Sequence, residues 1–278
     1  MTESPAIIGL AEWLRTPAGR YLLAWEQQHL DHAVADLFGF HALQLGLPAL
    51  AALKANRMPH RWVSADGADG LAAQGGSDGG AAPVAAVALH CDFDALPFAN
   101  QSLDLVVLPH SLELARDPHL TLREVERVLM PEGRVVILGF NPASLWALRQ
   151  RLGRLKRRVG LGRRHPLFLP SEGEFIGYRR LRDWLRLLSF EVEAGTFGCY
   201  RPPVGSEKWL ARFGWAEAFG DRWLPVFGAV YSLTAVKRVR GMRLVGLVRE
   251  QRVKAKAAPA VVAHHNHHTT IDNRDPDS

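Results

Sequence analysis

The sequence predicts an α/β fold built on a mostly parallel sheet with helices on both faces. Leu105, Val106, Val107 and Leu108 form a short apolar run bounded by Asp104 and Pro109. Val135, Val136, Ile137 and Leu138 form a second run, launched by the turn Pro131-Glu132-Gly133. Between them Leu120, Leu122, Val125, Val128 and Leu129 recur at helical spacing. Strands apolar on both faces and joined by a helix mark a βαβ unit whose sheet is covered on both sides. Ligands of such sheets bind beyond the C-terminal ends of the strands, here near Asp92, His110 and Asn141.

The other elements follow in chain order. Thr16-Pro17 opens a helix, because a hydroxyl N-cap precedes a proline whose fixed φ suits the first turn. Tyr21, Leu22, Trp25, Leu30, Val34 and Leu37 carry its apolar stripe, and Gly39 stops it. Residues 1–39 thus read as an N-terminal helical cap lying across the sheet. Residues 42–45 make the first strand, followed by Gly46-Leu47-Pro48 and a helical run through Leu53. Trp62 and Val63 mark the second strand, and residues 84–89 the third. Between these two, residues 66–83 are rich in glycine and alanine and read as a flexible surface insertion. The two runs described above are the fourth and fifth strands.

A basic element occupies 143–170, beginning as a helix or lid. Ser171 precedes Glu174 by three residues, the spacing of a capping box. Leu181, Trp184, Leu185 and Leu188 then give an apolar helical face. Phe190, Val192 and Ala194 alternate as in a strand, and residues 227–236 carry the last apolar run. Residues 200–225 read as a long loop holding Trp209, Phe213, Trp215 and Trp223. The end, 251–278, lacks apolar periodicity and reads as a disordered tail.

Composition narrows the class. The chain has 278 residues, enough for one large domain with a sizeable core. No apolar run reaches the roughly 18 residues that span a bilayer, and the first residues lack the basic start of a secretion signal. Cys91 and Cys199 form no disulfide framework, so a reducing, cytoplasmic setting is expected. The net charge of +6 is concentrated in two stretches, one from Arg149 to Arg164 and one from Lys237 to Lys256. Such stretches meet nucleic acid, an anionic membrane surface or an acidic substrate, or are simply solvated helix faces. His264, His265, His267 and His268 offer weak metal affinity without a fixed geometry, and no metal site is expected.

The central segment also carries a family resemblance. Asp92, Leu96, Pro97 and Phe98 match a D-x-x-x-L-P-F turn, and Ser102, Leu103 and Asp104 match an S-F-D strand opening. Leu122, Arg123, Glu124, Arg127, Val128, Leu129, Pro131 and Gly133 match L-R-E-x-x-R-V-L-x-P-G-G, with Glu132 in place of a glycine. The segment resembles class I S-adenosylmethionine (SAM) dependent methyltransferases, closest to the quinone-biosynthesis type. The resemblance implies a Rossmann-like seven-stranded sheet, mostly parallel with an antiparallel last strand, over residues 40–250. It implies SAM as cofactor, with Asp92 at the adenine amino group, Phe93 on the ring and Leu108 as a further cofactor-binding residue. Asp66, or Asp69 as its alternative, is placed on the ribose hydroxyls, and Gly46 in the glycine-rich turn.

That turn departs from the family. Its D/E-x-G-x-G-x-G pattern aligns with Gln44, Gly46, Pro48 and Leu50, so one glycine is present and an amide stands for the acid. His110 is the candidate general base, against the plainer reading of a buried histidine. With one histidine, its H-x-x-E spacing to Glu113 is no metal site. Glu113 and Asn141 are placed at the substrate mouth. Asn141-Pro142 is not the N-P-P-Y motif of amino-methylating DNA enzymes, because Ser144 stands where the aromatic residue belongs. The function implied is methyl transfer to a small or amphipathic molecule, apolar or anionic. The alternatives are a non-catalytic binding or regulatory protein and, on charge alone, RNA methylation.

Overall fold

The computed structural model describes residues 8–65, 86–158, 168–170 and 173–238. The expected insertion at 66–83, the tail at 251–278, and both Asp66 and Asp69 lie outside the described residues. Helices α1 (Ile8–Leu14) and α2 (Pro17–Ala35) precede strands β1 (His41–Leu45), β2 (His60–Ala65), β3 (Leu89–His90) and β4 (Leu103–Pro109). Then come α3 (Ser111–Leu114), α4 (Pro118–Val128), β5 (Leu129–Phe140), α5 (Leu145–Arg158) and α6 (Tyr178–Leu187). Strand β6 (Phe190–Gly198), helices α7 (Glu207–Arg212) and α8 (Trp215–Trp223), and β7 (Val230–Lys237) complete the fold.

The sheet order is β3-β2-β1-β4-β5-β7-β6. Strands β3, β2, β1, β4 and β5 run parallel, and β7 lies antiparallel between β5 and β6. This is the seven-stranded arrangement that the resemblance implied. The continuous apolar runs have a simple cause. Leu105 and Val107 enter the core beneath α1 and α2, together with Val136 and Leu138. Their neighbours Val106 and Leu108 face the other way, against Leu122 and Val125 of α4 and Leu181 and Leu185 of α6. Side chains alternate across a strand, so burial on both faces leaves no polar position between them.

Local signals set the ends. The Thr16 hydroxyl accepts from Gly19 N at 3.1 Å and caps α2. Asp117 caps α4, its carboxylate accepting from His119 N at 2.8 Å and Leu120 N at 3.1 Å. The turn at Pro131-Glu132-Gly133 is absorbed into β5 as an irregularity: pairing passes from Leu103–Leu129 directly to Leu105–Arg134. Glu132 there adopts a φ of +63°.

Four expectations are corrected. No helix follows β1, since residues 46–59 form turns. The tryptophan-rich stretch holds two helices, where a long loop was expected. Glu174 takes no part in a capping box, because α6 begins at Tyr178 with Gly177 at its cap. The third strand contributes only two paired residues, Leu89 and His90.

Asp104 fixes β1 against β4. Its Oδ2 accepts from Phe40 N and His41 N, each at 2.9 Å, so the amides that open β1 are tied to the start of β4. Gly39 permits the approach: a Cβ there would lie 2.5 Å from the Asp104 Cβ. Asp104→Ala is expected to lower unfolding free energy in urea by about 1–3 kcal/mol, with Asp104→Asn losing less because it keeps one acceptor oxygen.

Candidate functional site

The parallel strands end on one edge, and Gly46 stands where three of them meet. Its φ is +75°, and a Cβ there would lie 3.2 Å from Ser111 Oγ and 3.3 Å from the Phe93 ring. Only glycine combines that backbone conformation with so close an approach. The ends of β1, the turn after β3 and the start of α3 therefore converge. Phe93 is buried at this junction, while Asp92 beside it is exposed. Leu108, expected at the cofactor, is fully enclosed in the core against α4 and α6.

The missing helix after β1 is explained by Gln44. Its buried Nε2 lies 3.0 Å from Gly46 O, 3.0 Å from Leu47 O and 2.8 Å from Leu50 O. Its Oε1 accepts from Ala52 N at 3.0 Å. Carbonyls that a helix would use internally are turned onto this one amide. Pro48 removes a further donor, and Leu47 sits at a φ of +47°. Leu47 and Leu50, where the family carries x and glycine, are buried in the core. Gly46 N donates to Ser64 O at 2.8 Å and is already engaged.

His110 is fully buried in left-handed backbone at φ +57°. Its Nε2 lies 2.7 Å from Glu26 Oε1 of α2, and its Nδ1 lies 2.8 Å from Glu113 Oε2. Burial alone would lower its pKa. The field of Glu26 and the hydrogen bonds to both carboxylates outweigh that and raise it to about 10. Burial pushes the Glu113 carboxyl up, against the pull of His110. Both ring nitrogens are thus engaged inside the core, which counts against the general-base expectation, since a base needs a nitrogen free toward the substrate. Among the described residues, the second oxygen of Glu26 is buried without a hydrogen-bond partner.

Glu113 and Asn141 do not line an open mouth. Glu113 Oε1 accepts from Phe140 N at 2.7 Å, tying the cluster to the end of β5. Asn141 Nδ2 donates to Val226 O at 2.6 Å and Gly228 O at 2.9 Å, and its Oδ1 accepts from Ala143 N at 3.0 Å. Both side chains are spent on the fold.

A cleft of about 590 Å³ opens between α2 and the C-terminal end of β6, on the same edge as Gly46. Trp25 and His29 of α2 form one wall, stacked at 5.0 Å with rings 2° from parallel. Phe197, Tyr200, Glu217 and Asp221 lie around it. Gly198 leaves room for Trp25, as a Cβ there would fall 2.0 Å from the indole. Arg201 sits over the Tyr21 ring at 4.5 Å and 3.9 Å from Glu217. Burial raises the Glu217 pKa. The sequence held a sign of this cleft: Tyr21 and Trp25 belong to the apolar stripe of α2, and His29 continues their four-residue spacing.

Residues 45–137 match the family described as methyltransferase domain. The protein YafS of Escherichia coli (strain K12), described as uncharacterized, is 35% identical over 182 residues, 65% of this chain and 65% of that protein. Demethylmenaquinone methyltransferase of Chlamydia pneumoniae is 41% identical over 54 residues, 19% of this chain and 24% of that protein. The chain thus matches less than two thirds of the length of either relative. Among solved structures, a chain of the complex between the Haloferax volcanii Trm112 methyltransferase activator and a methyltransferase shares the fold. It superposes with a TM-score of 0.50 at 17% identity, over 83% of this chain and 96% of that one. Residues 45–137 thus match a methyltransferase domain, and the sheet built on them has the fold of that solved structure.

The residues expected at SAM differ in how they would fit it. On the adenosine side Asp92 is exposed just after β3 and Phe93 packs against Gly46. On the methionine side the Gly46 amide is committed to Ser64, so the carboxylate of a bound cofactor would need other donors.

Two predictions follow from the buried polar groups. Gln44→Glu would set a carboxylate against three carbonyl oxygens, and a loss of roughly 2–4 kcal/mol in urea unfolding is expected. The His110 pKa is raised on folding, so its stabilisation is complete below about pH 6.5 and is lost as pH rises through about 10. Unfolding free energy should therefore fall across that window in urea titrations, and Glu26→Gln should flatten the fall.

Proposed function

We propose that this chain transfers a methyl group from SAM to a small or amphipathic acceptor. The observation that supports it best is the convergence of Gly46, Phe93 and Ser111 at the strand ends of a methyltransferase domain. SAM, when bound, supplies a methyl on a sulfonium centre. Asp92 would accept from the adenine amino group, Phe93 would pack on the ring, and Asp66 would hold the ribose hydroxyls. Methyl transfer is an in-line displacement, and orientation with exclusion of water supplies much of the catalysis. His110 contributes rigidity to the edge, since each of its ring nitrogens is bonded to a carboxylate.

The cleft beside α2 is the acceptor site in this reading. Its aromatic walls suit an apolar or aromatic body, and its charged lining is mixed, with Arg201 paired to Glu217 and Asp221 beside them. A non-catalytic binding role is the second reading, favoured by the engaged Gly46 amide and by the buried Leu47 and Leu50.

Calorimetric titration with SAM and S-adenosylhomocysteine separates the two. Saturable binding that Asp92→Ala weakens by about tenfold or more is expected for the enzyme, corresponding to about 1.4 kcal/mol or more. Absence of binding at millimolar cofactor would leave the binding role.

A further inference from the structure

Helix α5 has two faces, and the outer one is unusual. Trp146, Ala147 and Gln150 are its buried side. The Trp146 indole donates to Arg201 O at 2.7 Å, and Gln150 bonds Leu169 through both its amide atoms at 3.0 Å. With 3.6 residues per turn, Leu145, Leu148, Leu152 and Leu155 fall on the side opposite. They are 53%, 51%, 49% and 56% exposed, so about half of each leucine faces solvent. Arg149 and Lys156 run along one flank of this stripe, and Arg151 and Arg154 along the other. The helix contains six cations and no acid.

A second exposed apolar feature lies further along the chain. The segment that α5 bonds at Arg201 and Pro203 leads into α7 and α8. There Trp215 and Trp223 are 63% and 67% exposed, well beyond what a folded core leaves to an indole.

We propose that α5 docks this protein on an anionic lipid bilayer. An outward leucine stripe edged by cations is the arrangement of a helix lying in the membrane interface. Its leucines enter the headgroup–acyl boundary, and its arginines meet lipid phosphates. Tryptophan favours the same depth. RNA would account for the cations and leave the four leucines without a purpose. An apolar protein groove would account for the leucines and leave the uninterrupted positive charge without one. The inference is independent of the methyl-transfer reading, because it rests on the outer face of a helix remote from Asp92 in sequence.

Cosedimentation of the full chain with vesicles tests it. Binding is expected to an equal mixture of phosphatidylcholine and phosphatidylglycerol, with much weaker binding to phosphatidylcholine alone and a decline as salt is raised. Leu148→Ser with Leu152→Ser should lower partitioning by more than about tenfold while circular dichroism and melting temperature stay unchanged. Should that pair disturb folding, Arg151→Ser with Arg154→Ser touches only exposed positions and should weaken binding and flatten its salt dependence. Four outcomes would overturn the proposal: wild-type protein remaining in the supernatant with both vesicles, equal binding to neutral vesicles, leucine variants that bind lipid as wild type while an RNA oligonucleotide is retained by charge, or a wild-type dimer in sedimentation velocity that the leucine variants render monomeric.

Discussion

The arrangement of the site edge depends on one buried ion cluster. An imidazolium enclosed in an apolar interior is tolerated only when its charge is met at close range and its protons are both bonded. His110 achieves this with a carboxylate from α2 on one nitrogen and a carboxylate from α3 on the other. Glu113 then spends its remaining oxygen on the Phe140 amide, and the Phe140 ring lies 4.4 Å from the imidazole. One histidine thus joins the N-terminal cap, the end of β4 and the end of β5. Breaking either contact would strand a charge in the core, which costs far more than a surface pair returns. The cap is therefore part of the domain's structure rather than an attachment to it.

Gln44 shows a second way in which this chain reorganises a familiar edge. Where the family places an acid, the amide here reverses the demand on the loop, since an NH₂ group takes carbonyls and a carboxylate takes N–H donors. The loop accordingly turns its oxygens inward and closes into turns around residue 44. Gly46 survives because Phe93 and Ser111 press against it. Its requirement for glycine is met by contacts within the protein, whatever the cofactor contributes.

Most of the fold was legible because it is written in periodicity. The runs at Leu105–Leu108 and Val135–Leu138 are buried on both faces, and the Thr16 cap lies at its helix start. The site was less legible for physical reasons. His110 is bonded to Glu26, a residue 84 positions away, and no local pattern reports such a pairing. Asn141 is spent on carbonyls of Val226 and Gly228, which approach only after β7 has folded back. The cleft by Trp25 escaped notice because an aromatic stripe on a helix reads as core until the opposing glycine, Gly198, is seen to make space for it. The helical expectation after Pro48 failed because a single polar side chain outcompeted helix formation for several carbonyls.

The strand order has a kinetic consequence. Strand β6 is made before β7, yet β7 is its sole partner in the described sheet and stands between it and β5. Until the last strand arrives, β5 keeps one edge open and β6 has nothing to pair with. Closure of this half of the sheet is a late event that joins residues far apart in sequence, and such long-range pairing is slow. During synthesis the half-built domain exposes an unpaired, apolar strand edge, the kind of surface on which nascent chains associate.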